Sequence, residues 1–178
     1  KLFHNLSFGV NSGEGLHIRG GNGSGKSTLL RIILGITTPT KGLIKRCNED
    51  LKISYLGHKN AIKNYLTPIE NLELLSNDVE IKIAYEWLHK FNLTHVQDEL
   101  AASLSFGQQK KLALIRVLAQ SPELIVLDEP FVGLDQTAAD QLNSFLEKQL
   151  SEGAGLIFTS HINPKISCKV LDLEAKNV

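Results

Sequence analysis

Residues Gly20-Gly21-Asn22-Gly23-Ser24-Gly25-Lys26-Ser27-Thr28 fit the pattern G-x-x-x-x-G-K-[ST], which ties a chain to one kind of local geometry. Glycines let successive backbone N–H groups turn inward around a polyphosphate and leave no side chain in its way. Lys26 is placed to reach the β- and γ-phosphates, and the Ser27 hydroxyl suits a Mg²⁺ ligand. The flanks agree with this reading. Leu16, His17, Ile18 and Arg19 alternate as a short strand, and residues 27–34 read as a helix whose N-terminus faces the anion. A strand, a phosphate-binding loop and a helix in that order predict an α/β nucleotide-binding fold.

The chain has 178 residues, 42% of them hydrophobic, which suits one domain with a sizeable core. Lys+Arg and Asp+Glu both number 19, so the formal charge is zero and gives no argument for a nucleic-acid partner. Cys47 and Cys168 lie far apart and outside any C-x-x-C spacing, which argues against a disulfide framework or a zinc site and fits a reducing compartment. No apolar run approaches a membrane span, and residues 1–30 lack the layout of a signal peptide, so a soluble, cytosolic chain is expected. There is no Met, so Lys1 is not a translation start, and an N-terminal stretch is expected to be missing.

Residues 3–10 alternate as a strand and 11–15 turn into the phosphate-loop strand. Gly35 ends the first helix, and Pro39-Thr40-Lys41-Gly42 lead into a short strand at 43–45. Residues 51–56 form another strand, followed by a polar loop from 57 to 64. Thr67-Pro68-Ile69-Glu70 is a capping box with Pro at the first helical position, and Asp78 is expected to cap the next helix. Ile81, Ala84, Trp87, Leu88 and Phe91 give that helix one apolar face, which makes Trp87 a core residue rather than a ligand-stacking one. From 67 to about 102 the chain reads as a helical insert. A further helix runs to about Ala119, with Leu112, Ile115 and Leu118 on one face, until Pro122 breaks it. Leu124-Ile125-Val126-Leu127 is a continuous apolar run, as a parallel strand buried on both faces requires. A long helix follows at 136–150, then a buried strand at 155–159 and a last short strand at 170–173.

An apolar strand ending in Asp128-Glu129 complements the phosphate loop: Asp128 holds Mg²⁺ directly or through water, and Glu129 polarises the attacking water. Leu104-Ser105-Phe106-Gly107-Gln108 lies 24 residues before Asp128 and resembles the L-S-G-G-Q signature of the ABC-type ATPases. Ser105 and the Gly107 amide stand at a helix N-terminus, whose dipole favours a phosphate. The resemblance implies that Ser105, Gly107 and Gln108 meet the ATP held by the phosphate loop of an opposite subunit, in a head-to-tail homodimer. Phe106 departs from the usual first glycine. Lys110, Lys111 and Arg116 read as a solvated helix face. His161, 33 residues after Asp128, matches the family's switch histidine, and Asp135 matches the acid of the loop crossing the dimer interface. The implied fold is a P-loop NTPase of the ABC type: a mainly parallel core sheet, N-terminal antiparallel strands and a small helical subdomain. One ABC ATPase domain over 1–178, N-terminally truncated, would contain that subdomain at about 65–122. The aromatic residue that stacks on adenine in the family would fall before Lys1.

His58 stands where the family carries a Gln that reaches Mg²⁺ and water; it either offers a ring nitrogen there or is a solvent-exposed loop residue. Tyr55-Leu56-Gly57-His58, Ile62-Lys63, Leu66-Thr67, Glu70-Asn71-Leu72 and Leu127-Asp128-Glu129-Pro130-Phe131 are similar to the ATP-binding subunits of the haem exporters of cytochrome c maturation. That resemblance implies a peripheral ATPase on the cytoplasmic face of the bacterial inner membrane, using ATP and Mg²⁺ and working with the integral membrane subunits of that complex. The alternatives are an ABC transporter for another solute, against which His58 argues, and a non-transport ABC ATPase. The latter would carry paired cassettes, a long coiled coil or zinc modules, and this sequence has none of these.

Overall fold

The computed structural model describes residues 3, 6–74, 77–163 and 165–174. Among these residues five strands build one sheet: β1 (Gly15–Arg19), β2 (Ile53–Leu56), β3 (Leu124–Leu127), β4 (Gly155–Thr159) and β5 (Lys169–Asp172). Their order is β2-β3-β4-β1-β5, and every pairing is parallel. Successive side chains on a strand point to opposite faces, so a strand covered on both sides must be apolar at every position. The central strands obey this. Ile125, Leu127, Leu156 and Phe158 belong to one apolar cluster, whereas Val126 and Ile157 belong to the other with Leu16, Ile18, Leu29 and Leu30.

The smaller cluster is closed by α1 (Lys26–Ile33), and the larger one by α2 (Pro68–Glu73), α3 (Asp78–Lys90), α4 (Phe106–Leu118) and α5 (Gln136–Ser151). The capping box at Thr67 and Glu70 opens α2 as expected, with the Thr67 amide donating to Glu70 at 2.8 Å. Trp87 is 7% exposed and packs against Phe91 and Phe145, as its helical spacing predicts. Both cysteines are free thiols.

The structure corrects two expectations of local structure. No antiparallel pair occurs among the described residues: Phe3, residues 6–10 and residues 43–45 lie outside any ladder. His4 and Asn5, part of that expected strand, fall outside the described residues. Alternating polarity makes a chain extended, but a strand also needs a neighbour for its backbone groups. Leu43 and Ile44 have none there and stand 73% and 44% exposed. The cap of α3 is Asn77 rather than Asp78: the Asn77 side chain accepts from the Glu80 amide at 3.1 Å, which places Asp78 inside the first turn.

What matters for a site is where the strands end. The loops leaving β1, β2, β3 and β4 emerge from the carboxyl edge of the same parallel sheet, where ligands of open α/β folds bind. These loops carry residues 20–28, His58, Asp128-Glu129 and Ser160-His161.

Candidate functional site

The phosphate loop closes on itself around the side chain of Lys26, whose Nζ donates to the carbonyls of Gly20 at 2.7 Å and Gly21 at 3.2 Å. Gly25 begins α1 in the left-handed region, at φ 99°, a conformation that a side chain would strain. It has no side-chain cap, so the first amides of α1 are left for an anion. The Gly21 amide donates to Oε1 of Glu174 at 2.6 Å, which ties the loop to the segment after β5.

A pocket of about 360 Å³ lies over this loop. The loop lines it with Gly21, Asn22, Gly23, Gly25, Lys26, Ser27 and Thr28. From the other strand ends come His58, Asp128, Glu129 and His161. Residues from four separate loops therefore meet in one cavity. Gly20 and Ser24 belong to the loop without lining the pocket, and His58 lines it from an exposed position.

The acid pair is held by Thr159, the last residue of β4. Leu127 pairs with Phe158, so Asp128 and Thr159 come next at the end of the ladder. The Thr159 hydroxyl donates to Oδ1 of Asp128 at 2.8 Å and accepts from the Glu129 amide at 2.9 Å. Asp128 is 1% exposed, and its own amide donates to the carbonyl of Leu56 at 2.8 Å. Glu129 sits at φ 49°, a left-handed conformation that is strained for a glutamate. Its Oε2 accepts from the His161 amide at 3.2 Å, and its Oε1 lies 3.3 Å from the His161 Nε2 without hydrogen-bond geometry. Asp128 Oδ2 and Glu129 Oε1 are buried with no hydrogen-bond partner among the described residues. Two such oxygens in a pocket that Ser27 also lines are hard donors suited to a small divalent cation and to water. Among the described residues no cluster of three His, Cys, Asp or Glu forms a metal cage, so a cation here would complete its shell with phosphate oxygens and water.

Ser105, Gly107, Gln108 and Asp135 do not line this pocket. Ser105 caps α4 in a reciprocal box: its Oγ accepts from the Gln108 amide at 3.3 Å, and its amide donates to Gln108 Oε1 at 2.8 Å. The Ser105 hydroxyl proton remains free to donate. Gly107 lies against Gly133, where an added Cβ would stand 2.6 Å from the Gly133 carbonyl oxygen. Phe106 is 61% exposed and rests one edge of its ring on Gly133. Asp135 caps α5 by accepting from the Ala138 amide at 2.9 Å and pairs with Lys111 Nζ at 2.5 Å. Those two bonds, Lys111 first, hold its carboxyl below the usual value.

Lys110, Lys111 and Arg116 are not a solvated face. Lys110 is 3% exposed, and burial pushes its ammonium pKa down against the opposing pull of Asp128 and Glu129. Lys111 reaches from α4 to Asp135 and to the carbonyl of Phe91 at 3.3 Å. Arg116 donates to the carbonyl of Ala61 at 2.5 Å, tethering the loop that carries His58. The physical reason is that α4 is enclosed on most of its circumference, with residues 112–115, 117 and 118 all buried. Apolar residues at six of the seven positions 112–118 were the available signal. Thr159 was also missed; a hydroxyl residue closing an apolar strand beside the acids was its signal.

Comparison with known proteins agrees with the geometry. The ABC transporter family matches over residues 3–132. The cytochrome c biogenesis ATP-binding export protein CcmA of Idiomarina loihiensis is 37% identical, over 90% of this chain and 78% of its own length. Its counterpart in Dechloromonas aromatica is 36% identical, over 90% of this chain and 85% of its own length. A dimeric bacterial ABC transporter cassette superposes with a TM-score of 0.81 at 26% identity, covering 97% of this chain and 87% of the cassette. A post-hydrolysis form of a dimeric cassette bound to ADP and Pi superposes with a TM-score of 0.76 at 28% identity, covering 90% and 80%.

Proposed function

This chain belongs to the ABC transporter family and to its cytochrome c biogenesis ATP-binding export proteins, and from that membership we propose that it is the ATP-hydrolysing subunit of a membrane complex for haem handling or export. The observation that carries the hydrolytic part is the convergence of the phosphate loop, Asp128, Glu129 and His161 on one pocket.

In this reading the amides of residues 23–28 bind the phosphates of ATP, and Lys26 moves its ammonium onto the β- and γ-phosphates. Ser27 and Asp128 would hold Mg²⁺, with His58 a further candidate ligand through water. When bound, the ion would supply charge neutralisation on the phosphates. Glu129 accepts the proton of the attacking water, its carboxylate oriented by the His161 amide and its backbone by Thr159. His161 stands beside it to contact the γ-phosphate. Ser105, Gly107 and Gln108 would serve the nucleotide of a second subunit in a head-to-tail homodimer, with Asp135 at the crossing loop. Their position outside this subunit's pocket supports that assignment. The helical subdomain would span about 65–122. The chain would be a peripheral subunit on the cytoplasmic face of the inner membrane. Among the described residues no helix is long and apolar enough to cross a membrane.

The test is affinity purification of the chain from detergent-solubilised membranes. Recovery of integral membrane subunits of cytochrome c maturation supports the assignment, and recovery of an unrelated permease overturns it.

A further inference from the structure

His17 is a buried titratable group near the pocket for which the chemistry above has no use. It sits in the middle of β1, 2% exposed, on the opposite face from Leu16 and Ile18. Its ladder partner on β4 is Phe158, and the two rings stack with centroids 4.7 Å apart and planes 9° from parallel. Stacking fixes the imidazole plane, and Nε2 then stands 3.0 Å from the carbonyl oxygen of Ser160. A carbonyl can only accept, so Nε2 carries the ring proton. Burial pushes the His17 pKa down, which leaves a neutral ring with this single N–H.

The carbonyl of Ser160 and the amide of His161 belong to one peptide unit. That unit is planar, so its C=O and N–H cannot be aimed separately. Its C=O accepts from His17, and its N–H donates to Glu129 Oε2 at 3.2 Å. A second β1 side chain holds the same segment further on, where the Arg19 guanidinium donates to Asn163 Oδ1. We infer that His17 is a positioning residue for ATP hydrolysis, pinning the plane of the Ser160–His161 peptide so that its N–H orients the Glu129 carboxylate. His17 thereby acts on the reaction without touching nucleotide or water. The inference rests on the role given to Glu129 above.

The experiment uses the full chain and the variants His17→Phe, which keeps the stacked ring but removes the donor, and His17→Gln, which restores an amide donor. His17→Leu serves if the aromatic variant does not fold. Hydrogen exchange at the His161 amide reports the pinned peptide, and steady-state turnover of Mg·ATP reports its consequence. In H17F the His161 amide is expected to exchange on the order of 10-fold faster, and kcat to fall by about 10-fold to 100-fold with KM little changed. H17Q should recover most of both. Wild-type exchange at His161 in H17F overturns the pinning. Faster exchange with wild-type kcat overturns the link to hydrolysis and counts against the role of Glu129 itself. A loss in which kcat, KM and melting temperature move together, with H17Q no better than H17F, reduces His17 to packing.

Discussion

The backbone amide of His161 donates to Oε2 of Glu129 at 3.2 Å, while the imidazole of the same residue stands 3.3 Å from the other carboxylate oxygen. One residue therefore sets the direction of the carboxylate and flanks the place where its substrate would sit. Glu129 cannot relax away from this arrangement cheaply, because its backbone at φ 49° is anchored by Thr159. The cost of such a conformation, about 1–3 kcal/mol, has to be met by the surrounding contacts.

Thr159→Val tests that anchor. Valine is nearly isosteric, so the change removes the hydroxyl alone and leaves Asp128 Oδ1 and the Glu129 amide without their Thr159 partner. Each lost buried partner costs about 1–3 kcal/mol. Urea denaturation should show a loss of about 2–4 kcal/mol, largely recovered in Thr159→Ser. Stability equal to wild type would mean that the hydroxyl contributes no net stability.

Asp135 joins two functions, capping α5 and pairing with Lys111. Asp135→Ala should cost about 0.5–2 kcal/mol, the usual worth of a cap. Because the folded carboxyl is held below its ordinary value of 3.8, its stabilisation is present above that value and lost as pH falls through the lower folded one. Asp135→Asn should therefore flatten the acid limb of the stability profile. Denaturation at pH 7 and near pH 3 checks this; identical profiles would contradict it.

His17 titrates in the opposite range. Its folded pKa is lowered chiefly by burial, then by Arg19, against the Ser160 bond and the charge of Glu129. The unfolded chain then binds a proton near the ordinary value of 6.5 that the folded chain does not. Stability is therefore full above that value and declines as pH falls towards the lowered one. Chemical denaturation between pH 5 and 8 should show a shallower decline in His17→Gln than in wild type. Parallel curves would show that His17 contributes nothing to the pH dependence.

The phosphate loop with β1 and α1, the apolar strand ending in Asp128, and the helix at 136–151 were all legible in the sequence, because each is set by local pattern. The site's frame was not. Lys110 looks like any other surface lysine in a window of its own helix, and its burial comes from packing around α4. The Arg116 bond to Ala61 and the Lys111 bond to Asp135 span 55 and 24 residues, beyond any periodicity argument. His17 reads as the polar position of an alternating strand, and only the parallel pairing of β1 with β4 reveals what it faces. The strands expected at 43–45 and over the described part of 3–10 failed for the converse reason, since pattern alone does not supply a partner.

A slowed hydrolase should hold its nucleotide. Glu129→Gln with Mg·ATP is expected to elute from size exclusion as a dimer, and Ser105→Ala added to it should return the chain to monomer. A monomer at high protein concentration in the single variant would count against the head-to-tail homodimer.

The central claim is that Glu129 is the base for the attacking water. The direct measurement is the rate of phosphate release from Mg·ATP by wild type and Glu129→Gln at saturating nucleotide, with nucleotide affinity measured alongside. The account predicts a fall of about 10²–10⁴-fold with affinity retained. Turnover by Glu129→Gln close to the wild-type rate would contradict it.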